Sequence, residues 1–263
     1  VTRTALFNIT GDPAFVQANF LNVMTKADTL MTALRASATQ MAAFNRLYGT
    51  TLSASVPSVV TRTALFNITG DPAFVQANFL NVMTKADSLM VALQANTAQR
   101  TSFNRLFGTT LAATGTPSVT NRTALFNIAG DPAFVQANFL GAVTRADSLY
   151  VVLQGNTAQR DAFNRLFGTT IAATGSPSVT NRTALFNLAG DPSFDQAGFL
   201  NVMVKADSLL TRLRTDATKR ASFNTQFGTA IPATGNIAVD DRTTLFNLTG
   251  DPDYDEDAFW DTL

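Results

Sequence analysis

Five copies of the tripeptide Gly-Asp-Pro begin at Gly11, Gly70, Gly130, Gly190 and Gly250, at steps of 59, 60, 60 and 60 residues. The surrounding text repeats too: Arg62–Asn121 and Arg122–Asn181 differ at 12 of 60 positions. Near-identity at a fixed period restricts the chain to a repeat architecture, in which each module is one supersecondary unit that meets its neighbours. The modules read as residues 2–60, 61–120, 121–180 and 181–240, with a partial fifth at 241–263. The recurrence also weighs against an enzyme, because a catalytic site is usually built once.

Within each module the pattern predicts a short helix, a long helix and a second short helix, so the fold class is all-α. Thr2, Thr61, Asn121, Asn181 and Asp241 share one position, and each can accept a hydrogen bond from free amides at a helix start. A short helix such as Arg122–Ile128 follows, with Gly130 as its stop. Asp131 as N-cap and Pro132 at the first helical position then open a long helix, Pro132–Gln154. In the second copy Phe79, Val82, Ala86, Leu89 and Leu93 fall at steps of 3 and 4, with Met83 and Met90 widening the stripe to one broad apolar face. The next cap reads Ser37, Asn96, Asn156 and Asp216; Gln40, Gln99 and Gln159 stand three residues on, as a capping box requires, and Lys219 breaks it. The third helix, Thr97–Phe107 in the second copy, ends at Gly49, Gly108, Gly168 and Gly228. Thr109–Thr120 reads as an extended seam with Leu111 and Val119 as apolar anchors; a short strand at Thr109–Ala113 has no hairpin partner in sequence.

Differences between copies sort into inside and outside. Met31, Met90, Tyr150 and Leu210 share a position, as do Ile9, Ile68, Ile128, Leu188 and Leu248; apolar replacing apolar is what a packed core demands. Met41, Arg100, Arg160 and Arg220, followed by Ala42, Thr101, Asp161 and Ala221, drift as a solvated face does.

Composition removes several classes of chemistry. Cys and His are both absent, which excludes disulfides, Cys/His zinc sites, thiol nucleophiles and imidazole bases. The 19 basic and 19 acidic residues cancel, so no electrostatic footprint for nucleic acid or anionic membrane exists. No apolar run is long enough to span a bilayer. The chain begins at Val1, without a visible signal peptide, as a processed product or an excised piece would. The Thr-, Ala- and Asn-rich, Lys-poor, Cys-free composition leans toward an extracellular or cell-surface setting.

Candidate chemistry is sparse, and the reading assigns no catalytic, cofactor or metal residue. The acidic cluster Asp251, Asp253, Asp255, Glu256, Asp257 and Asp261 could offer oxygens to calcium. It lacks the spacing of an EF-hand loop, and reads as a polar finish that complements a helix dipole. Asn8, Asn67, Asn121, Asn181 and Asn247 each open an Asn-x-Thr triplet, a glycosylation acceptor if the host has the machinery; capping explains Asn121 and Asn181 without sugar. Lys26, Lys85, Arg145 and Lys205 stand two residues from Asp28, Asp87, Asp147 and Asp207. That spacing does not place the two side chains face to face on a helix, which leaves a solvated flank or an ion pair between modules.

A module of about 45 helical residues is marginal alone without metal or disulfide, so the expected architecture is a stacked, solenoid-like array. Independent three-helix beads, and a closed ring or a domain-exchanged assembly, are the alternatives. The expected role is structural: a self-assembling component of an extracellular filament, sheath or surface layer, acting as a homo-oligomer or polymer through contacts between modules. The alternative is a multivalent binding array, an adhesin or scaffold for a glycan, peptide or cell-wall polymer.

Overall fold

A computed structural model describes residues 15–263. Among them are thirteen helices and no strand. The first module contributes α1 (Gln17–Ala36) and α2 (Ala38–Tyr48). The second has α3 (Val59–Thr69), α4 (Gln76–Ala95) and α5 (Thr97–Phe107), and the third α6 (Val119–Ala129), α7 (Gln136–Gly155) and α8 (Thr157–Phe167). The fourth has α9 (Val179–Ala189), α10 (Gln196–Thr215) and α11 (Ala217–Phe227), and the partial fifth α12 (Val239–Thr249) and α13 (Glu256–Thr262). The chain forms two compact units. One holds the described residues up to Arg100 together with Thr110–Phe134; the other holds Thr101–Thr109 with Val135–Leu263. The division falls inside α5.

The short–long–short pattern is as the sequence predicts, but the first two boundaries move. The side chains that cap α3, α6 and α9 belong to Ser58, Ser118 and Ser178, whose hydroxyls accept from the amides of Thr61, Asn121 and Asn181. The expected cap residues Thr61, Asn121, Asn181 and Asp241 lie inside the helices and are buried. Asn121, Asn181 and Asp241 instead accept from the amides of Thr110, Thr170 and Ala230 at 3.0–3.1 Å, clamping the seam onto the helix it precedes. Thr2, Asn8, Ile9 and Gly11 lie outside the described residues.

Gly-Asp-Pro does not open the long helix. Phe74, Phe134, Phe194 and Tyr254 donate their amides to the carbonyls of Asp71, Asp131, Asp191 and Asp251 at 3.0–3.1 Å, so the proline occupies the second position of a β-turn, where its fixed φ is equally suited. The aspartate carboxylate accepts from the residue two further on, as from Ala133 at 2.8 Å. The turn directs Phe74 onto Phe79, 5.9 Å between centroids. Val75 and Val135 are then extended, and the long helix starts at Gln76 and Gln136 without a side-chain cap. Asp195 and Asp255 replace these valines and supply one. Gly130 has φ −78°, not a left-handed value. Glycine is needed there because a Cβ would lie 2.9 Å from the Phe126 carbonyl oxygen.

The third helix matches its predicted bounds. Ser37, Asn96, Asn156 and Asp216 accept from the amides of Gln40, Gln99, Gln159 and Lys219. The reciprocal half of the capping box is not formed at Asn156, because the Asn156 amide already donates to Val152 O of the long helix; the Gln159 side-chain oxygen is buried without a partner. Gly49, Gly108, Gly168 and Gly228 hold φ of 62–64°.

Within each unit, modules lean on one another. In the first, α1 packs on α3, α2 on α4, and α4 on α6; in the second, α7 packs on α9, α8 on α10, and α10 on α12. α4 and α10 are therefore each covered by the third helix of the module before and the first helix of the module after. This stacking replaces the independent-bead alternative. Met83, Ala86, Leu89, Met90 and Leu93 are buried as the stripe predicts, while Phe79 and Val82 are half-buried. Of the seam anchors, Leu111 is buried and Val119 is exposed as the first residue of α6.

Candidate interaction surface

The contact surfaces between modules are the most chemically specific part of the molecule. Three elements recur where the first, second and third modules each meet the next. The first is an ion pair. Arg46 grips Asp87 through both carboxylate oxygens, with Nε 2.9 Å from Oδ1, and Arg165 grips Asp207 likewise, at 2.8 and 2.5 Å. The hydrogen bond to its aspartate raises the pKa of Arg46 and of Arg165. Arg105 approaches only Oδ2 of Asp147, at 2.7 Å; the Ser102 hydroxyl donates to the same oxygen at 2.9 Å, and Oδ1 is buried without a partner. Ala43 and Ala162 stand where Ser102 does, so the two-pronged pairs have no hydroxyl beside them. The aspartate of the repeated cation–Asp pair thus joins modules, but its partner is an arginine of the previous third helix. Arg145 instead closes the end of α9, donating to Ala189 O at 2.8 Å.

The second element is a triad of rings from three successive modules. Tyr48, Phe79 and Phe126 meet with centroids 6.0–6.4 Å apart. Phe107, Phe139 and Phe186 repeat the arrangement at 5.9–6.1 Å, and so do Phe167, Phe199 and Phe246 at 5.7–6.1 Å. The third element is an arginine laid over each triad. Arg122, Arg182 and Arg242 sit 4.4–4.5 Å from the centroids of Tyr48, Phe107 and Phe167 and donate to Leu47 O, Leu106 O and Leu166 O at 3.2–3.3 Å. They close the C-terminal end of a helix two modules back and add cation–π attraction. Burial lowers the pKa of Arg182 and Arg242, and pushes the Tyr48 phenol up to about 12 against the opposing pull of Arg122.

Side chains that sequence reasoning gave to solvent also have structural tasks. Arg100, Arg160 and Arg220 donate to Gln94 O, Gln154 O and Arg214 O at 2.7–3.2 Å and close their long helices. Asn45 and Asn164, which the repeat pattern did not single out, accept from Leu52 and Ile171 amides at 2.8 Å and return a bond to the same residues' carbonyls. The signal was available: an asparagine four residues before the left-handed glycine in every copy.

A groove opens beside the ring triads. It is about 340 Å³ where Tyr48, Val59, Val60, Thr63 and Arg122 line it, and about 570 Å³ at Phe167, Val179, Thr180, Thr183 and Arg242. Asn67 and Asn187 border the two copies. Of the glycosylation candidates, Asn67 and Asn247 are exposed, Asn121 and Asn181 are buried clamps, and Asn8 lies outside the described residues. In the acidic cluster, Asp251 caps its turn, Asp255 caps α13, and Glu256 and Asp257 accept from Arg212 at 3.2 and 2.8 Å. No group of three or more acidic residues among the described residues is placed to hold a metal ion. No helix among them is long and apolar enough to cross a membrane. In comparisons with protein-family models, curated proteins and solved structures, nothing matches this chain.

Proposed function

We propose that this chain is a structural repeat protein acting by association, a self-assembling component of an extracellular filament, sheath or surface layer. The observation that carries this reading is the repeated junction of ion pair, ring triad and overlying arginine: a surface that joins modules within a chain is chemically suited to join modules between chains. A near-neutral exterior permits close packing without strong repulsion. Sedimentation velocity across a hundredfold concentration range, with electron microscopy of the same samples, tests it. Ordered, concentration-dependent assemblies are expected; a monomer at every concentration overturns the reading.

The recurring groove favours a second reading, a multivalent array for a glycan, peptide or cell-wall polymer. Aromatic and arginine side chains beside a half-apolar trough suit such a ligand. A stable monomer that binds a polymer, with affinity rising with the number of grooves engaged, would select this reading over the first.

A further inference from the structure

The two grooves beside the ring triads are built from matching positions, and each lies within one compact unit. Val59, Thr63 and Asn67 stand four residues apart along α3, as do Val179, Thr183 and Asn187 along α9, so each set lies on one face of its helix. All six are exposed. Half-buried Tyr48 and Ile68 add apolar surface to one groove, Phe167 and Leu188 to the other. Arg122, from α6, and Arg242, from α12, complete them, and no other charged side chain among the described residues lines either groove. These two arginines differ from those that join modules. Arg46 has Asp87 and Arg165 has Asp207, whereas Arg122 and Arg242 meet no carboxylate among the described residues. Each is half-buried, lies over a ring and gives one nitrogen to a helix-end carbonyl. A partly desolvated cation without a counter-ion, in a trough that holds no negative charge, is complementary to an anion.

We infer that each groove is a binding site for a uronic-acid polysaccharide, its carboxylate on Arg122 or Arg242 and its hydroxyls on the Thr and Asn of the same groove. The rest of the lining selects this ligand among anions. Valine and ring carbons offer an apolar surface to the C–H face of a sugar, and threonine and asparagine offer hydrogen bonds to its hydroxyls. The planar carboxylate matches the guanidinium fork. An acidic peptide carries its carboxylates on flexible stems and lacks the hydroxyls. The same site in both units suits a ligand with a repeating unit. The inference rests on the array reading and deepens it by naming the ligand class and the groups that hold it.

The probe is tetragalacturonate, titrated into the full chain while the methyl signals of Val59 and Val179, assigned with Val59→Ala and Val179→Ala, are followed by NMR. Both should shift along saturable curves. Maltotetraose, neutral and of equal length, and tetraglutamate, of equal net charge, should bind at least tenfold more weakly. Thr63→Glu offers Arg122 a carboxylate from within the chain, at an exposed position. It should weaken binding at Val59 at least tenfold and leave Val179 within twofold; Thr63→Gln, of the same size, should cost less than threefold. No saturable shift at millimolar tetragalacturonate, an equal response to either control, or equal losses in the two Thr63 variants overturns the inference. Tetragalacturonate binding with no gain for the long polymer leaves the groove standing and removes the array reading. Maltotetraose binding that strengthens with chain length keeps the array reading and removes the uronate site.

Discussion

The junction of α8 with α10 and the junction of α10 and α11 with α13 begin from the same repeat text and end differently. In the former, Arg165 holds Asp207 two-pronged, Phe167, Phe199 and Phe246 form a closed triad, and Leu166 is buried. In the latter, Phe227 meets Phe259 at 6.0 Å, and the arginine and leucine are replaced by Thr225 and Gln226. New contacts take over: Arg212 lies 4.5 Å from the Trp260 ring centroid and binds Glu256 and Asp257, while Lys219 Nζ donates to Trp260 O at 2.6 Å. Val152 and Gln159 occupy the Arg212 and Lys219 positions one module earlier. The contrast separates two ways of covering a helix. One uses a closed triad of half-buried rings and a buried carboxylate; the other uses long cations laid over a half-buried ring.

The largest difference should appear on truncating an aromatic ring. Phe163 is fully buried and Phe259 only partly so. Phe163→Ala is expected to cost about 3–5 kcal/mol, and Phe259→Ala no more than about half of that, by denaturant unfolding. Equal losses would mean that the two junctions are equally well packed.

Alkaline titration should produce the next largest effect. Burial raises the Tyr48 phenol from its ordinary value of 10.0 to about 12, and burial with nearby carboxylates raises Tyr254 as well. A raised folded-state pKa means that the folded chain holds its proton more tightly than the unfolded chain does. The stabilisation is complete below pH 10 and is lost as pH climbs toward 12. At about 1.4 kcal/mol per pH unit, the Tyr48 share is at most about 3 kcal/mol. Tyr48→Phe installs the residue found at Phe107, Phe167 and Phe227, and it should flatten that part of the decline. Melting temperatures from pH 8 to 12 that fall equally in both proteins would show that Tyr48 does not titrate in this window.

Much of this architecture was legible because the repeat shows each position four times. Three different residues capping the third helix, and a glycine always closing it, left no other local reading. The first-helix cap was missed because Ser118 and Asn121 are both good cap residues three positions apart, and only the fold shows that Asn121 reaches back to the Thr110 amide. The Gly-Asp-Pro error has the same origin: proline fits the first helical turn and the second position of a β-turn equally, and the packing of Phe74 on Phe79 decides. The junction arginines were illegible for a different reason. Arg46 and Asp87 lie 41 residues apart, and Arg122 and Leu47 lie 75 apart; no periodicity within one module points from one to the other.

The glycines that end the third helices sharpen the comparison at smaller cost. Gly168 and Gly228 share a left-handed φ, but a Cβ at Gly168 would lie 2.9 Å from Asn236 Nδ2, whereas one at Gly228 would meet nothing within 4 Å. Gly228→Ala should cost about 1 kcal/mol from backbone strain alone, and Gly168→Ala about 1–2 kcal/mol as Asn236 is also displaced. Identical values would mean that Asn236 yields freely.

The smallest expected effect is at Arg212. Its side chain keeps about a third of its surface in water and Asp257 is exposed while it bridges Glu256, Asp257 and Trp260, so its ion pairs are largely screened and its removal should leave the global unfolding midpoint where it was. The contacts it makes are nevertheless those that hold α13, a seven-residue helix too short to persist without them. Arg212→Ala should therefore accelerate amide exchange across Ala258–Thr262 and leave exchange in α8 and α10 unchanged. Raising the salt concentration in the wild-type protein should reproduce part of the same loss, because screening weakens exposed charges first. Unaltered exchange in α13 would assign its retention to Phe259 on Phe223 and Phe227 rather than to the cations.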